Sequence, residues 1–180
     1  DGHPVSVALL AREGGLDDDT RRRAYEGGRI RGNLIPDLLT SQLRDPEAGI
    51  PIGFRVVRIA THHAVRAAGF GSRLLDEIEA EFSEIGSTDA DPYDARDRFG
   101  PIDYLGVSYG ATPKLCSFWT ANGYRTVHLS ATRNDTSGEH SAVMLRPISK
   151  GGRDLTDRHA AWFHRRILDV LAGVLSDVDP

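Results

Sequence analysis

Apolar and polar residues follow two patterns along this chain, one typical of buried strands and one of amphipathic helices. The apolar run over residues 54–60 has the β-branched and aromatic content of a buried strand. A polar loop with two glycines follows, and a helical pattern then runs from Ser72 to about Phe82. A strand, a glycine loop and a helix start in this order favour phosphate binding, because the first N–H groups and the dipole of a helix attract an anion.

The same reasoning predicts four more strands and four more helices. The strands are predicted over residues 4–10, 104–109, 124–129 and 142–145. The helices are predicted over residues 17–25, from near Pro36, over residues 113–121 with Thr112 as N-cap, and over residues 158–175. Residues 86–100 are polar without periodicity, which predicts an exposed loop.

Composition narrows the class of protein. A chain of 180 residues with 39% hydrophobic and 27% charged residues is typical of one soluble globular domain. No apolar run approaches the ~20 residues of a membrane span, and the start of the chain lacks a signal-peptide pattern. The single cysteine, Cys116, excludes an internal disulfide framework and a cysteine zinc site, and we expect a cytoplasmic protein without a metal. The net charge of −4 excludes a nucleic-acid binder that is basic overall.

The glycine loop has the spacing R-x-x-G-x-G, carried by Arg66, Gly69 and Gly71. No lysine follows the glycines as in a P-loop, and the third glycine of a dinucleotide-binding fingerprint is missing. The spacing resembles the loop that binds the pyrophosphate of acetyl-CoA in GNAT-type acetyltransferases. The alternative is a surface loop that happens to contain arginine and glycine.

Longer segments carry a more specific resemblance. The segments DYLGVSYGATPKLCSFWTANGY (residues 103–124) and RNDTSGEHSAVMLRPIS (residues 133–149) resemble the acetyltransferase domain of the tRNA(Met) cytidine acetyltransferase family, which includes the RNA cytidine acetyltransferases. The segments RGNLIPDLL and VVRIATHH fit the same family. The resemblance implies an α/β (α+β) GNAT fold, in which helices flank a central mixed sheet and a further helix lies at the C-terminus.

The resemblance also implies a reaction and a cofactor. The exocyclic N4 amine of a cytidine in tRNA or rRNA would attack the thioester of acetyl-CoA. Backbone N–H groups at the splayed end of a strand would hold the acetyl carbonyl, and the glycine loop would hold the pyrophosphate, with Ser72 capping the helix. The cofactor-binding residues implied in this way are Ile59, Ala60, Thr61, Arg66, Ala67, Ala68, Gly69, Phe70, Gly71 and Ser72.

Acid–base groups are sought among the titratable residues near the acceptor. We predict His140, Glu139 and His62 as catalytic candidates, and prefer the first two because they lie in the GEHS motif; the alternative for each is an exposed loop residue. Many GNAT enzymes have a tyrosine where this chain has Trp119. Bacterial members carry Glu and Arg, linked with acetyl-CoA, where this chain has Lys114 and Ala121.

The resemblance divides the chain in two. Residues 1–149 are expected to form the acetyltransferase domain, without the first strand and helix of a full GNAT core, and residues 150–180 to begin an RNA-binding extension. Relatives also contain an RNA-helicase-like ATPase module, and no Walker motif is present in this chain. Two other functions stay open: a stand-alone GNAT enzyme for a protein or small-molecule amine, and a non-catalytic module that binds acyl-CoA or assists RNA assembly.

Overall fold

A computed structural model describes residues 2–83, 98–135, 138–173 and 175 of the chain. Five strands and five α-helices are described in full in this part, together with a 3-10 turn over His63–Val65. The strands are β1 (Ser6–Glu13), β2 (Gly53–Thr61), β3 (Tyr104–Gly110), β4 (Arg125–Arg133) and β5 (His140–Pro147). The helices are α1 (Asp18–Tyr25), α2 (Leu34–Asp37, continued by a π-helical turn over Leu38–Gln42), α3 (Phe70–Phe82), α4 (Pro113–Ala121) and α5 (Lys150–Ala172).

The strands form one mixed sheet in the order β1-β2-β3-β5-β4. Strands β2 and β3 run parallel, and the other neighbouring strands are antiparallel. The predicted α/β class is confirmed, with a central mixed sheet, helices packed against it and a long C-terminal helix.

Two apolar cores lie on opposite faces of the sheet. On one face, Leu75 of α3, Trp119 of α4 and Val107 of β3 belong to the same core. On the other face, Ile35 of α2 and Leu155 of α5 belong to a second core. Successive side chains of a strand point to opposite faces, so the strands contribute alternately to both cores and hold the helices on both sides.

Glu13 explains why α2 begins at Leu34 rather than near Pro36. The carboxylate of Glu13 is buried and accepts the N–H of Ile35 in the first turn of α2, at 2.9 Å. It also pairs with the guanidinium of Arg55, at 2.6 Å. This acceptor comes from a distant strand, and therefore no local sequence signal marks the start of the helix.

The C-terminal helix begins at Lys150, so the predicted start at residue 158 was wrong. Ser149 is its N-cap and accepts the N–H of Gly152, at 3.1 Å. A Cβ atom at Gly152 would overlap the carbonyl group of Asp103, and only glycine lets the first turn pack there. The glycine at position 152 therefore serves a close contact between the helix and the loop that contains Asp103.

The other predicted boundaries differ less from those in the structure. Helix α4 and its Thr112 cap are confirmed, and the strand predicted over residues 142–145 is longer and begins at His140. Most of the loop predicted over residues 86–100 lies outside the described residues. Among the described residues, no helix combines the length and the hydropathy that crossing a membrane requires.

Asp45 fastens α5 to the segment that follows α2. Its carboxylate accepts hydrogen bonds from Arg158 (Nη2, 2.6 Å) and from the buried His159 (Nε2, 2.9 Å). Partial burial alone raises the pKa of Asp45, but the hydrogen bonds from His159 and Arg158 outweigh it and hold that pKa well below the ordinary value.

We therefore expect Asp45→Asn to lower the free energy of unfolding by about 1.5–3 kcal/mol at neutral pH, as for a hydrogen bond to a charged group. The pKa of Asp45 is lower in the folded state, so its contribution is complete above the unfolded pKa of about 3.9 and is lost as the pH falls through the folded pKa. Urea unfolding from neutral to acidic pH measures the gap between wild type and variant, which should narrow only below about pH 4. The exposed Asp169→Asn on the same helix is the control; a gap that stays constant down to acidic pH would contradict this role of Asp45.

Candidate active site

Strands β2 and β3 separate in the middle of the sheet. They are paired only from Gly53 and Tyr104 to Val56 and Val107. Beyond this point β2 stays paired with β1 as far as Thr61, and β3 stays paired with β5 as far as Gly110. The facing edges of the two strands are therefore open, and a slot lies between them.

A β-bulge marks the point of separation. In the β1–β2 pairing, Leu10 faces Val56 and Leu9 faces Arg58, so Val57 is an extra residue. A bulge bends its strand and strengthens the local twist, which turns β2 away from β3. The predicted carbonyl-binding residues Ile59, Ala60 and Thr61 all lie in the diverging part of β2. Val57 was missed by the sequence analysis, because a bulge in a valine-rich strand leaves no sequence signal.

The glycine loop connects the end of β2 to α3. Ala67 and Gly69 have positive φ angles of 62° and 83°, a conformation that favours glycine at position 69. Helix α3 begins at Phe70 with Gly69 as N-cap and without a side-chain cap, so the predictions of a helix start and a cap at Ser72 were wrong. In the described part of the chain, no acceptor binds the N–H groups of Phe70, Gly71 and Ser72.

These free N–H groups point to an anion site. They lie at the positive end of a 13-residue helix, and Arg66 in the preceding loop is exposed. A Cβ atom at Gly71 would lie 3.5 Å from the ring of Phe118 and 3.7 Å from Oγ1 of Thr61, so a methyl group would fit. Packing alone therefore does not require glycine at position 71, whereas the close approach of a phosphate would.

A cleft of about 670 Å³ opens on the other side of α4. Cys116 and Ser117 of α4 line it, whereas Phe118 of the same helix faces Gly71. Its remaining walls come from the start of α4, from β3, β4 and β5 and the residues next to them, and from α5. They comprise Tyr109, Ala111, Thr112, Pro113, Thr126, Leu129, Arg133, Gly138, Glu139, His140, Ala142, Phe163 and Leu171.

Two of the predicted acid–base residues line this cleft. The half-buried carboxylate of Glu139 lies beside Gly110, where a Cβ atom would come within 2.8 Å of its Oε2. His140 is buried, and its Nδ1 lies 2.9 Å from the carbonyl oxygen of Ser130, to which it donates. In the neutral ring Nε2 then carries the lone pair, and it has no hydrogen-bond partner among the described residues.

His140 also supports the shape of β4. The β4–β5 pairing shifts between Leu129 and Arg133, and the ring of His140 holds the displaced Ser130. The structure does not bring His62 to this cleft. That residue is exposed at the end of β2, where its Nδ1 accepts the N–H of Ala64 at 3.3 Å, and its catalytic role stays a prediction.

An aromatic cluster occupies the position where many GNAT enzymes place a tyrosine. Trp119 is buried among the rings of Tyr109, Phe118 and Tyr124 and does not reach the cleft. Tyr109, which the sequence analysis missed, does line the cleft, and its hydroxyl lies 3.4 Å from Sγ of Cys116. Burial, together with the hydrogen bond to Cys116, raises the pKa of Tyr109, so the phenol keeps its proton at neutral pH.

Several known proteins are similar to this chain in sequence or in structure. The chain is 63% identical over 179 residues to the tRNA(Met) cytidine acetyltransferase TmcA of Haloferax volcanii, and 54% identical over 180 residues to that of Haloarcula marismortui. It covers 22% and 21% of these two proteins, and thus spans about a fifth of their length, while they cover 99% and 100% of the chain. A solved structure, the ribosomal-protein-S18-alanine N-acetyltransferase from Escherichia coli, is 14% identical with a TM-score of 0.40, over 78% of this chain and 95% of its own.

The match to a known protein family assigns the chain to that family. The family described as GNAT acetyltransferase 2 matches residues 3–98 and 93–149, which is most of the chain. The resemblance inferred from the sequence motifs is thereby confirmed. The chain belongs to the GNAT acetyltransferase 2 family.

Proposed function

We propose that this chain transfers an acetyl group from acetyl-CoA to the N4 amine of a cytidine in RNA, either tRNA or rRNA. The observation that carries the proposal is the slot between β2 and β3, with the free N–H groups of α3 at its end and the cleft with Glu139 nearby. The names of the two archaeal relatives support cytidine as the acceptor.

Acetyl-CoA fits the first part of this arrangement. Its pyrophosphate would be held by the N–H groups of Phe70, Gly71 and Ser72 and by Arg66, with the loop residues Ala67, Ala68 and Gly69 shaping the turn. The open backbone edge of β2 over Ile59, Ala60 and Thr61 would hold the acyl end. When bound, acetyl-CoA supplies the acetyl group as an activated thioester.

Residues of the cleft would accept protons or donate hydrogen bonds during the reaction. The carboxylate of Glu139 would accept the proton that the amine loses, because it is the carboxylate in the described lining of the cleft. Tyr109 keeps its proton because its pKa is raised, and its phenol O–H would donate a hydrogen bond to the sulfur of the leaving group. His140 would position the wall beside Glu139 through its bond to Ser130, and its free Nε2 is the second proton acceptor.

The proposal extends to the organisation of the longer relatives. We infer that residues 1–149 form the acetyltransferase domain and that residues 150–180 begin an RNA-binding extension. The remaining four-fifths of the relatives' length would provide further modules, including an RNA-helicase-like ATPase. We further propose that the reaction takes place in the cytoplasm, since a chain with one cysteine needs no oxidising compartment to form an internal disulfide.

Acetyl-CoA should stabilise the wild-type chain, and Gly71→Glu should abolish the effect. At a concentration ~100 times the dissociation constant, a ligand adds ~2.7 kcal/mol to the free energy of unfolding. A carboxylate at position 71 would occupy the phosphate site and repel the anion. Thermal unfolding with and without acetyl-CoA measures the difference.

Two variants control this experiment. Gly71→Ala should fold normally, because its Cβ atom meets Phe118 and Thr61 at ordinary contact distances. Gly2→Glu adds the same charge where a Cβ atom has nothing within 4 Å, and should respond to acetyl-CoA as the wild type does. Equal stabilisation of the wild type and Gly71→Glu would refute the assignment of the loop.

Glu139→Gln should slow acetylation and leave the stabilisation by acetyl-CoA intact. Amide and carboxylate have the same shape, but the amide cannot accept a proton, and general bases contribute roughly 10²–10⁴-fold to rate. The measurement is turnover to N4-acetylcytidine, with Asp135→Asn on the same connection as the matched control. Unchanged turnover in Glu139→Gln would exclude Glu139 as the base.

A further inference from the structure

Helix α5 carries arginines and a tryptophan beside the candidate cleft. Trp162 lies between two surface depressions, of about 310 Å³ and 300 Å³, and lines both. The first depression shares Leu129 and Phe163 with the cleft that contains Glu139. The cleft, the first depression and the second depression therefore adjoin one another through shared lining residues, and the two depressions define a path beside the cleft.

This path is positively charged, although the chain as a whole is acidic. Four arginines line the two depressions: Arg44, Arg158, Arg165 and Arg166. The lining contains one carboxylate, Asp45, and Arg158 and His159 already bind it. Within the described residues, no carboxylate pairs with the other three arginines.

The arginines accompany aromatic rings. The guanidinium of Arg166 lies 4.1 Å from the centre of the Trp162 ring, and that of Arg44 lies 4.2 Å from the centre of the Tyr25 ring. Single-stranded RNA offers planar bases at regular intervals between phosphates, and proteins bind it with aromatic platforms next to cationic side chains. An acidic peptide would satisfy the arginines but would offer no planar group of its own to stack beside the indole of Trp162 and the guanidinium of Arg166.

We propose that this surface, formed by Arg44, Trp162, Arg165 and Arg166, binds the RNA strand next to the cytidine that enters the cleft. A base would stack on the indole of Trp162, and phosphates would contact the three arginines. This inference rests on the proposed function, because it takes the same cleft as the acceptor site. It adds where the flanking nucleotides lie and which side chains bind them.

The expected effects differ between the two kinds of contact. Stacking on one aromatic ring is worth about 5- to 150-fold in affinity, so Trp162→Ala should weaken RNA binding within that range. Trp162→Phe should restore much of the affinity, because it keeps a ring. Arg165→Glu should weaken binding and reduce the slope of affinity against salt by about one phosphate contact.

The experiment measures fluorescence anisotropy of a short cytidine-containing single-stranded RNA with the 180-residue chain, across a salt series. Arg12→Glu is the matched control, because it makes the same charge change on β1, at the sheet edge opposite β4. Each variant is also tested for stabilisation by acetyl-CoA, which Trp162→Ala and Arg165→Glu should retain.

The outcomes separate this inference from the proposed function. A loss of RNA affinity in Trp162→Ala and Arg165→Glu, with Arg12→Glu unchanged, supports the surface. Equal affinity in all variants, an equal loss in Arg12→Glu, or no RNA binding by the wild type overturns it, even if acetyl-CoA still stabilises the chain. Failure of acetyl-CoA to stabilise the wild type would instead count against the proposed function.

Discussion

The separation of β2 from β3 is the constraint on which the rest of this site depends. A buried backbone group without a hydrogen-bond partner is costly, so two neighbouring strands normally stay paired. Here each strand keeps its outer partner beyond Val56 and Val107, β1 for β2 and β5 for β3, while the inner edges open. The bulge at Val57 allows this with a single extra residue, and the exposed backbone groups are left for a ligand.

The same geometry places two helix N-termini at one edge of the sheet. Because β2 and β3 are parallel, the helices that follow them, α3 and α4, both start near the ends of these strands. Helix α4 caps itself, since the side chain of Thr112 accepts the N–H of Leu115. Helix α3 has only Gly69 at the equivalent position. The N-terminus of α4 is therefore bonded to its own cap, whereas the N-terminus of α3 is free to bind an anion.

The sequence was sufficient wherever the determining interaction is local. Thr112 and Pro113 mark the start of α4 by themselves, and its predicted bounds are confirmed. The sequence was insufficient where a residue distant along the chain determines the position of an element. Gly152 is explained by the carbonyl group of Asp103, and the start of α2 by the carboxylate of Glu13.

The candidate site also combines features that the local sequence predicts with features that depend on distant residues. The motif containing Gly69 and Gly71 located the loop, because glycine spacing is a local property. The bulge at Val57, the position of Tyr109 in the cleft and the separation of His62 from Glu139 depend on how strands pair and where helices pack. None of these can be inferred from the spacing of residues along the chain.

Helix α5 links the stability of the fold to the geometry of the acceptor side. Its inner face is fixed by the burial of Leu155 and by the bonds of Arg158 and His159 to Asp45. A helix is rigid over a few turns, so fixing these residues also fixes Trp162 one turn further on, beside the cleft. Flexible arginines on a mobile segment would lose entropy on binding RNA, whereas side chains on a docked helix lose less. A net acidic chain can in this way hold a local cationic surface in a constant position relative to the reacting groups.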